Sequence, residues 1–444
     1  MEVSEFLNTK LVNYASYDNV RSIGNAIDGL KNASRKILYT VHEKKIRDKI
    51  KVSQLSSKCA EFSDYLHGDA SLQGVIVTLG QDFAGTNNIP LLRKFGNFGT
   101  RSAQKASAPR YIFAKGSDEF FELFKYEDDD VLESQTFEGY KIEPKFYVPT
   151  LPMILINGSE GISTGFAQKI LPRNPDNIKK YIKEKLNGNK PSINLLDPWF
   201  KGFNGTVTLN TDDMTHDKWK ISGVVEHVKR NEYLVKEVPL HYDLTGYISI
   251  LDELKESGKI LRYSNESDGN NTLQFRVWMP KNYTHQENDE NLYDILKLTK
   301  CVCENFTCID EFNKIREFTS SRDVIDYYIG VKLRYTQKRK DFLLKKYRYD
   351  LSILECKLRF ISMYIKNEIK LNNVPKTDIE TQLNVLKFSK VDDSYNYLIG
   401  MPLYSLTSEK IQSLKKDIDD LKNNINNLNT KTVEDIWATE LEDL

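Results

Sequence analysis

An α+β chain of several domains, ending in an antiparallel pair of long helices, is the architecture this sequence predicts. Three observations carry the prediction. The chain has 444 residues, more than one hydrophobic core serves, so it must divide. Its middle contains short segments in which apolar and polar residues alternate, the pattern of half-buried antiparallel strands. Its last quarter contains two long apolar series spaced alternately three and four residues apart, the seams of helices that pair.

The elements follow in order. "AIDGLKNASRKILYTVHEKKI" spaces Ile27, Leu30, Ile37, Leu38 and Val41 as one helical face does, with lysines and arginines between them. "DASLQGVIVTLGQDF" predicts a second helix with Asp69 as its N-cap. "NIPLLRKFGNFGTR", with two glycines and a basic flank, predicts a loop. "GTVTLN", "KWKISGVVEHV", "EYLVKEVP" and "TLQFRVWMP" are the alternating strands, and "TGYISILDELKESGKI" is a helix among them. From about residue 326 the chain turns helical. Leu344, Tyr347, Leu351, Leu354, Leu358, Ile361 and Ile365 form one seam, and Ile411, Leu414, Ile418, Leu421, Ile425 and Leu428 the other. About 45 residues separate them, enough for a small globular tip. The boundaries drawn on this basis are 1–150, 151–325 and 326–444.

Composition excludes some classes. Lysine plus arginine total 63, as do aspartate plus glutamate, so overall charge announces no partner and local distribution matters. Residues 328–349 are basic and "TVEDIWATELEDL" is acidic. No apolar run approaches the roughly 20 residues of a membrane helix, and no secretory leader opens the chain. Cys301, Cys303 and Cys308 of "CVCENFTC" lack paired zinc spacing and nearby histidines. They read as reduced thiols on a strand, the state of an intracellular protein. "EDDD" at 127–130 reads as a solvated acidic turn, and no nucleotide-binding glycine motif occurs.

The candidate chemistry lies in the first third. "KASAPRYIFAK" sets Arg110 and Tyr111 side by side after Pro109. An isolated pair of this kind fits a strand entry as well as a reactive phenol. "NVRSIGNAIDGLKNASRK" gathers Arg21, Lys31, Arg35 and Lys36. On a helix, Lys31 and Arg35 would share a face able to follow a phosphate backbone, or one that is simply solvated. "YLHGD" holds His67 ahead of a helix start, and "KFGNFGTR" could bring amides and Arg101 toward phosphate.

Taken together and in this order, "RSIGNAIDGLKNASRK", "YLHGDASLQGVIVTLGQDFAGTNNIPLLRKFGNFGTR", "SAPRYIF", "YVPTLPMILINGSEGISTGF", "YNYLIGMPLYSLTSEK" and "TVEDIWATELEDL" resemble the type IIA DNA topoisomerases. The likeness runs from about residue 20 to the end, through 176–325 mainly by strand pattern. "APRYIF" and "MPLYSLTSEK" look more like the eukaryotic and T-even phage members than like bacterial gyrase. "DGLKNASRK" departs from the family by lacking a proline after the lysine.

The resemblance implies a winged-helix breakage–reunion domain, a mixed α/β tower, and an antiparallel coiled-coil hairpin with a dimerisation gate. It implies that Tyr111 is the nucleophile forming a 5′-phosphotyrosyl link, with Arg110 beside the phosphate. Arg21, Lys31, Arg35, Lys36, Lys94 and Arg101 would hold the DNA backbone, His67 would lie near the scissile phosphate, and Ile162 would wedge between base pairs. It further implies double-stranded DNA and a second copy of the chain as partners, with no membrane. Neither "EGDSA" nor the paired D-x-D signature of the family's metal domain is found. Mg²⁺ and ATP would therefore be bound by a separate polypeptide bearing the ATPase and metal domains, and no metal by this chain. In extent the chain is similar to the separate cleavage subunit that T-even phages encode, whose place would be the host-cell cytoplasm. Two other classes remain open from the residues: an architectural DNA-bending protein in which Arg110 and Tyr111 are incidental, and a tyrosine transesterase of the recombinase or relaxase kind.

Overall fold

The computed structural model describes residues 3–210, 218–269, 271–283, 290–371, 374–402 and 407–444. Its contacts divide the chain into two compact units, Met1–Lys332 with Glu440–Leu444, and Leu333–Thr439. No helix among the described residues is long and apolar enough to cross a membrane.

The first unit begins with helices Val12–Ser22, Asn32–Glu43, Val52–Ser63 and Asp69–Gly80. A three-stranded antiparallel sheet packs with them, in the order Ile50–Lys51, Phe113–Gly116, Leu92–Phe95. This is a winged-helix arrangement. The core between helices and sheet is built from Ile37, Leu38, Val41, Val52, Leu55, Leu72, Ile76, Leu92, Ile112 and Ala114, each at or below 1% exposure. Three expectations change here. The stretch expected as a loop contains strand Leu92–Phe95, paired with Phe113–Gly116. The first helix starts at Asn32, with Lys31 as its N-cap, because residues 25–31 close a turn through Gly29, whose amide donates to Asn25. Gly68 is the N-cap of the second helix and Asp69 its first residue.

The hairpin Ser159–Ser163 with Phe166–Ile170 projects from the same unit. Beyond it, a four-stranded sheet runs in the order Val224–Lys229, Glu232–Glu237, Phe275–Trp278, Arg262–Asn265. Helix Leu244–Glu256 covers it, and Tyr247, Leu251, Val235, Phe275 and Val277 belong to its buried core. A three-stranded sheet orders Thr299–Cys303, Lys218–Ser222 and Thr206–Leu209. Cys301 and Cys303 are exposed on its edge strand, while Cys308 is buried on another strand.

The acidic run is solvated only in part: Glu127 and Asp130 are exposed, but the two acids between them are engaged. Asp128 is buried against the Lys332 ammonium, 3.9 Å away, and Asp129 meets His42 Nε2 at 2.9 Å. Both partners lie far off in sequence, so the run alone gives no hint of them.

In the second unit, the long helix Ser321–Ile365 continues past the unit boundary and Ser408–Thr430 runs antiparallel to it. Lys340 Nζ donates to the Lys431 carbonyl at 2.6 Å, and Lys422 pairs with Glu355 at 3.0 Å, so rising numbers on one helix meet falling numbers on the other. Leu344, Ile361, Leu414 and Ile418 are buried. Between the helices, Phe360, Ile369, Ile379, Leu383, Phe388, Tyr395 and Leu398 form a separate small core. Residues 403–406 of "MPLYSLTSEK" lie outside the described residues.

Candidate active site

Tyr111 sits on a turn directly before strand Phe113–Gly116 and is 66% exposed. Its neighbour Ile112 is 1% exposed. That alternation fixes the turn: the buried isoleucine holds the backbone while the phenol points outward. Backbone bonds complete the anchor. The Tyr111 amide donates to Ala108, the Val52 amide to Ile112, and the Ser53 amide to Pro109. Gly96, at φ +94°, lets the neighbouring loop pass close, since a Cβ there would lie 3.0 Å from Ile112 Cγ2. The Arg110 guanidinium carbon stands 4.9 Å from the centre of the Tyr111 ring, within cation–π range, and is exposed. A solvent-facing phenol with a guanidinium beside it can attack an electrophile whose charge grows during reaction.

A second group forms around helix Val12–Ser22. His67 Nε2 lies 2.7 Å from the Tyr17 hydroxyl, and its ring meets Tyr65 edge-on at 5.4 Å. Burial first, and the Arg21 cation second, push the His67 pKa below the usual histidine value. Asp18 accepts three hydrogen bonds from the tip of the 159–170 hairpin: Ser163 Oγ at 3.0 Å, the Thr164 amide at 2.9 Å and Thr164 Oγ1 at 2.8 Å. These bonds, led by the Thr164 hydroxyl, hold its carboxyl below the ordinary value. Asn19 also accepts from Ser163, at 2.7 Å. Lys31 donates to the Glu160 carbonyl at 2.6 Å, and desolvation lowers its pKa against the pull of Glu160. A Cβ on Gly161 would come within 2.3 Å of the Ser22 carbonyl, so only glycine lets the hairpin lie this close to the helix. On that hairpin Ile162 is 83% exposed.

The structure thus brings Arg21, Lys31, His67 and Ile162 into one neighbourhood. Lys94, on strand Leu92–Phe95, is paired with Asp82 and partly exposed.

Three expected phosphate contacts are corrected. Arg35, 4% exposed, gives Nε to Asp28 at 2.8 Å and Nη2 to Asp28 and Leu30 at 3.0 Å. Lys36, 7% exposed, pairs with Glu143 at 2.9 Å and donates to the Ser63 carbonyl. Arg101, 1% exposed, donates to the carbonyls of Val238, Pro239 and Tyr242 and faces Glu237. All three cations are buried and turned to internal acids and carbonyls, so none is presented at the surface for a phosphate. A buried charge needs such a partner. Only Asp28, seven residues before Arg35, offered a signal in the sequence. Asp18, which holds the hairpin tip, was missed because it lies 145 residues from Ser163.

Among the described residues no group of three or more His, Cys, Asp or Glu side chains stands together in a way that could hold a metal ion. The carboxylates of Asp128 and Asp129 are turned to Lys332 and His42.

Known proteins match this chain along nearly its whole length. Residues 21–442 match the family model for the A-type subunit of DNA gyrase/topoisomerase IV. Mitochondrial DNA topoisomerase 2 of Dictyostelium discoideum is 31% identical over 452 residues, covering 99% of this chain and 35% of that protein. DNA topoisomerase 2 of Saccharomyces cerevisiae is 28% identical over 500 residues, covering 99% of this chain and 34% of that protein. The chain thus spans about a third of the length of these relatives. The crystal structure of the Plasmodium falciparum topoisomerase II DNA-binding, cleavage and re-ligation domain superposes with a TM-score of 0.89 at 30% identity, covering 99% of this chain and 63% of that one.

Proposed function

We propose, since the chain belongs to the family of A-type subunits of DNA gyrase/topoisomerase IV, that it is the DNA cleavage and religation part of a type II topoisomerase. Tyr111 is the nucleophile. Its phenolic oxygen forms a bond to the phosphorus of a backbone phosphodiester, and the phosphorus–O3′ bond breaks. The phenol gives up its proton and the departing 3′-oxygen takes one up. DNA is left joined through a 5′-phosphotyrosyl link. Because a phenolate is itself a competent leaving group, the same bond stores the break for resealing. Arg110 offsets the charge that grows on the phosphoryl oxygens. The observation that carries this reading is the outward phenol on a backbone-anchored turn with a guanidinium 4.9 Å from its ring.

Around this centre, Arg21, Lys31, His67 and Lys94 serve the cleaved duplex, and Ile162 is the wedge that unstacks a base step and bends it. The reading retains three regions: a breakage–reunion region over 1–150, a tower over 151–325, and a coiled coil with a dimer gate over 326–444. Two copies act together, one on each strand, so that one duplex can pass through another. Mg²⁺ and ATP are assigned in this reading to a separate polypeptide, as in the split enzymes of T-even phages. The setting is then intracellular, in the host cytoplasm for a phage protein.

The test is covalent capture of end-labelled duplex DNA in the presence of Mg²⁺ and an ATPase/metal-domain partner. Wild type is expected to retain the label through the 5′ end, and Tyr111→Phe to retain none while melting at the wild-type temperature. A 3′ link would favour a recombinase-type transesterase. Undiminished capture by the Phe variant would exclude Tyr111. Efficient capture by the wild-type chain without a partner would exclude the split-enzyme arrangement alone.

A further inference from the structure

We propose that a basic groove beside the tyrosine turn is a second phosphate-binding site, taking the backbone of the same duplex a few nucleotides from the bond that Tyr111 attacks. The inference rests on the function proposed above and extends it to a surface that the family motifs in this sequence do not reach.

The groove is formed by the segment "HEKKIRDKIK" and the start of helix Val52–Ser63. It encloses about 780 Å³, and Lys44, Lys45, Arg47, Lys49 and Lys58 line it, with Asp48 as the one carboxylate on the wall. All five cations are exposed. None is ion-paired to an acid among the described residues, in contrast to Arg35, Lys36, Lys94 and Arg101.

Four of the five are held in place by aromatic rings. Lys44 Nζ stands 3.9 Å from the centre of Phe62, Lys45 Nζ 5.7 Å from Tyr126, the Arg47 guanidinium 4.0 Å from Phe121, and Lys49 Nζ 5.9 Å from Phe113. A ring face positions a cation without supplying a counter-charge. The result is a row of exposed positive charges with no paired acid among the described residues. Such a row favours a polyanion with regularly spaced charges.

Position selects the polyanion. Strand Ile50–Lys51, inside the segment, pairs directly with the strand that follows the tyrosine, Lys51 opposite Phe113. The Ser53 amide donates to Pro109, two residues before Tyr111. Groove and nucleophile therefore lie on adjacent strands of one sheet. Neighbouring strands lie about 4.8 Å apart, and the rise of a duplex is about 3.4 Å per base pair. A backbone seated at Tyr111 thus enters the groove within a few nucleotides. The rest of the lining is mainly hydroxyl and amide side chains, which suit phosphate oxygens and offer little to the apolar anchors of an acidic peptide.

The experiment measures binding of duplexes of increasing length by the full chain across a salt series. Wild type is compared with a triple variant, Arg47→Gln, Lys49→Gln and Lys58→Gln, whose melting temperature is checked first. Each lost phosphate contact lowers the slope of log affinity against log salt by about 0.9. The expected drop is therefore about 2–3, confined to duplexes long enough to enter the groove. An unchanged slope in a folded variant overturns the proposal. If the triple variant melts early, protection of Lys44, Lys45, Lys49 and Lys58 from acetylation in the wild type replaces it. Protection by duplex is expected, and protection by polyglutamate but not by duplex overturns the site in favour of an acidic protein partner. Loss of Tyr111 capture in the wild type would instead strike the function proposed above, and the slope reads independently of it.

Discussion

The turn that carries Tyr111 and the hairpin that carries Ile162 both push one side chain into solvent, but they are held in opposite ways. The tyrosine turn is anchored from below. Ile112 is buried beside the exposed phenol, one backbone bond closes the turn, and two more tie it to the start of helix Val52–Ser63. The hairpin tip is anchored from the side by one carboxylate, Asp18, which accepts three bonds from Ser163 and Thr164. In the proposed roles, a nucleophile must return to the same place to reseal what it cut, and packing plus backbone bonds give that precision. The proposed wedge only has to be presented, and a polar clamp that can open is sufficient.

The same substitution at two isoleucines separates these anchors most sharply. Ile112→Ala empties a packed site and is expected to cost about 2–5 kcal/mol of stability, with covalent capture falling alongside because the turn loses its floor. Ile162→Ala removes an 83% exposed side chain and is expected to stay within about 0.5 kcal/mol of wild type. Denaturant melts of the two variants check this. Equal destabilisation would mean that the hairpin is packed as the turn is, and the distinction would fail.

That contrast also marks what the sequence made legible. Tyr111, Arg110 and Ile162 stand out as candidates because each lies in a short, ordered motif, and the structure leaves all three exposed. The strands and paired helices stand out because period two and the heptad are written along the chain. The roles of Arg35, Lys36 and Arg101 were misjudged because a cation's partner is a matter of space. Glu143 is 107 residues from Lys36, and the carbonyls that take Arg101 lie 137 to 141 residues away. Strand Leu92–Phe95 was hidden by its flanking glycines, which punctuate a loop and a tight strand exit alike. Asp128 and Asp129 read as solvated because four acids in a row usually are; Lys332 and His42 reverse that.

The next effect in size belongs to the clamp. Asp18→Ala deletes the acceptor of three bonds and is expected to cost about 1 kcal/mol, comparable to a lost cap. The folded pKa of Asp18 is depressed below 3.8. Its contribution is therefore complete above the unfolded value and is lost as pH falls through the lower folded one. Melting temperature against pH, wild type minus variant, should show a difference that is constant near neutrality and closes only in acid. A difference that persists at the lowest pH would place the effect in packing and not in the carboxylate.

Bending of DNA should distinguish clamp from wedge. Energy transfer between the ends of a bound duplex is expected to report less bending for Ile162→Ala, while binding to nicked or pre-bent duplex survives. For Asp18→Ala the bend should be lost only in part, since Asn19 still accepts from Ser163. An unchanged bend angle in Ile162→Ala would remove the wedge role.

The smallest expected effect concerns the electrostatics between the two regions. His67 is partnered by Tyr17 and repelled by Arg21, both on the helix that clamps the hairpin. Its folded pKa lies below 6.5, so the unfolded chain takes up a proton first as pH falls. The neutral ring's contribution is present above 6.5 and declines as pH drops through the folded value. Arg21→Gln removes the repelling cation and should move the His67 pKa upward, though not fully to the ordinary value, because burial is the larger cause. A bound duplex should act in the same direction by a different route, since a phosphate near the ring favours the imidazolium. Following the His67 ring proton by NMR through a pH titration, with and without DNA, reads both effects. If DNA leaves the titration unmoved while Tyr111 is captured normally, His67 stands away from the phosphate backbone and its role is confined to holding Tyr17 and the clamp helix in place.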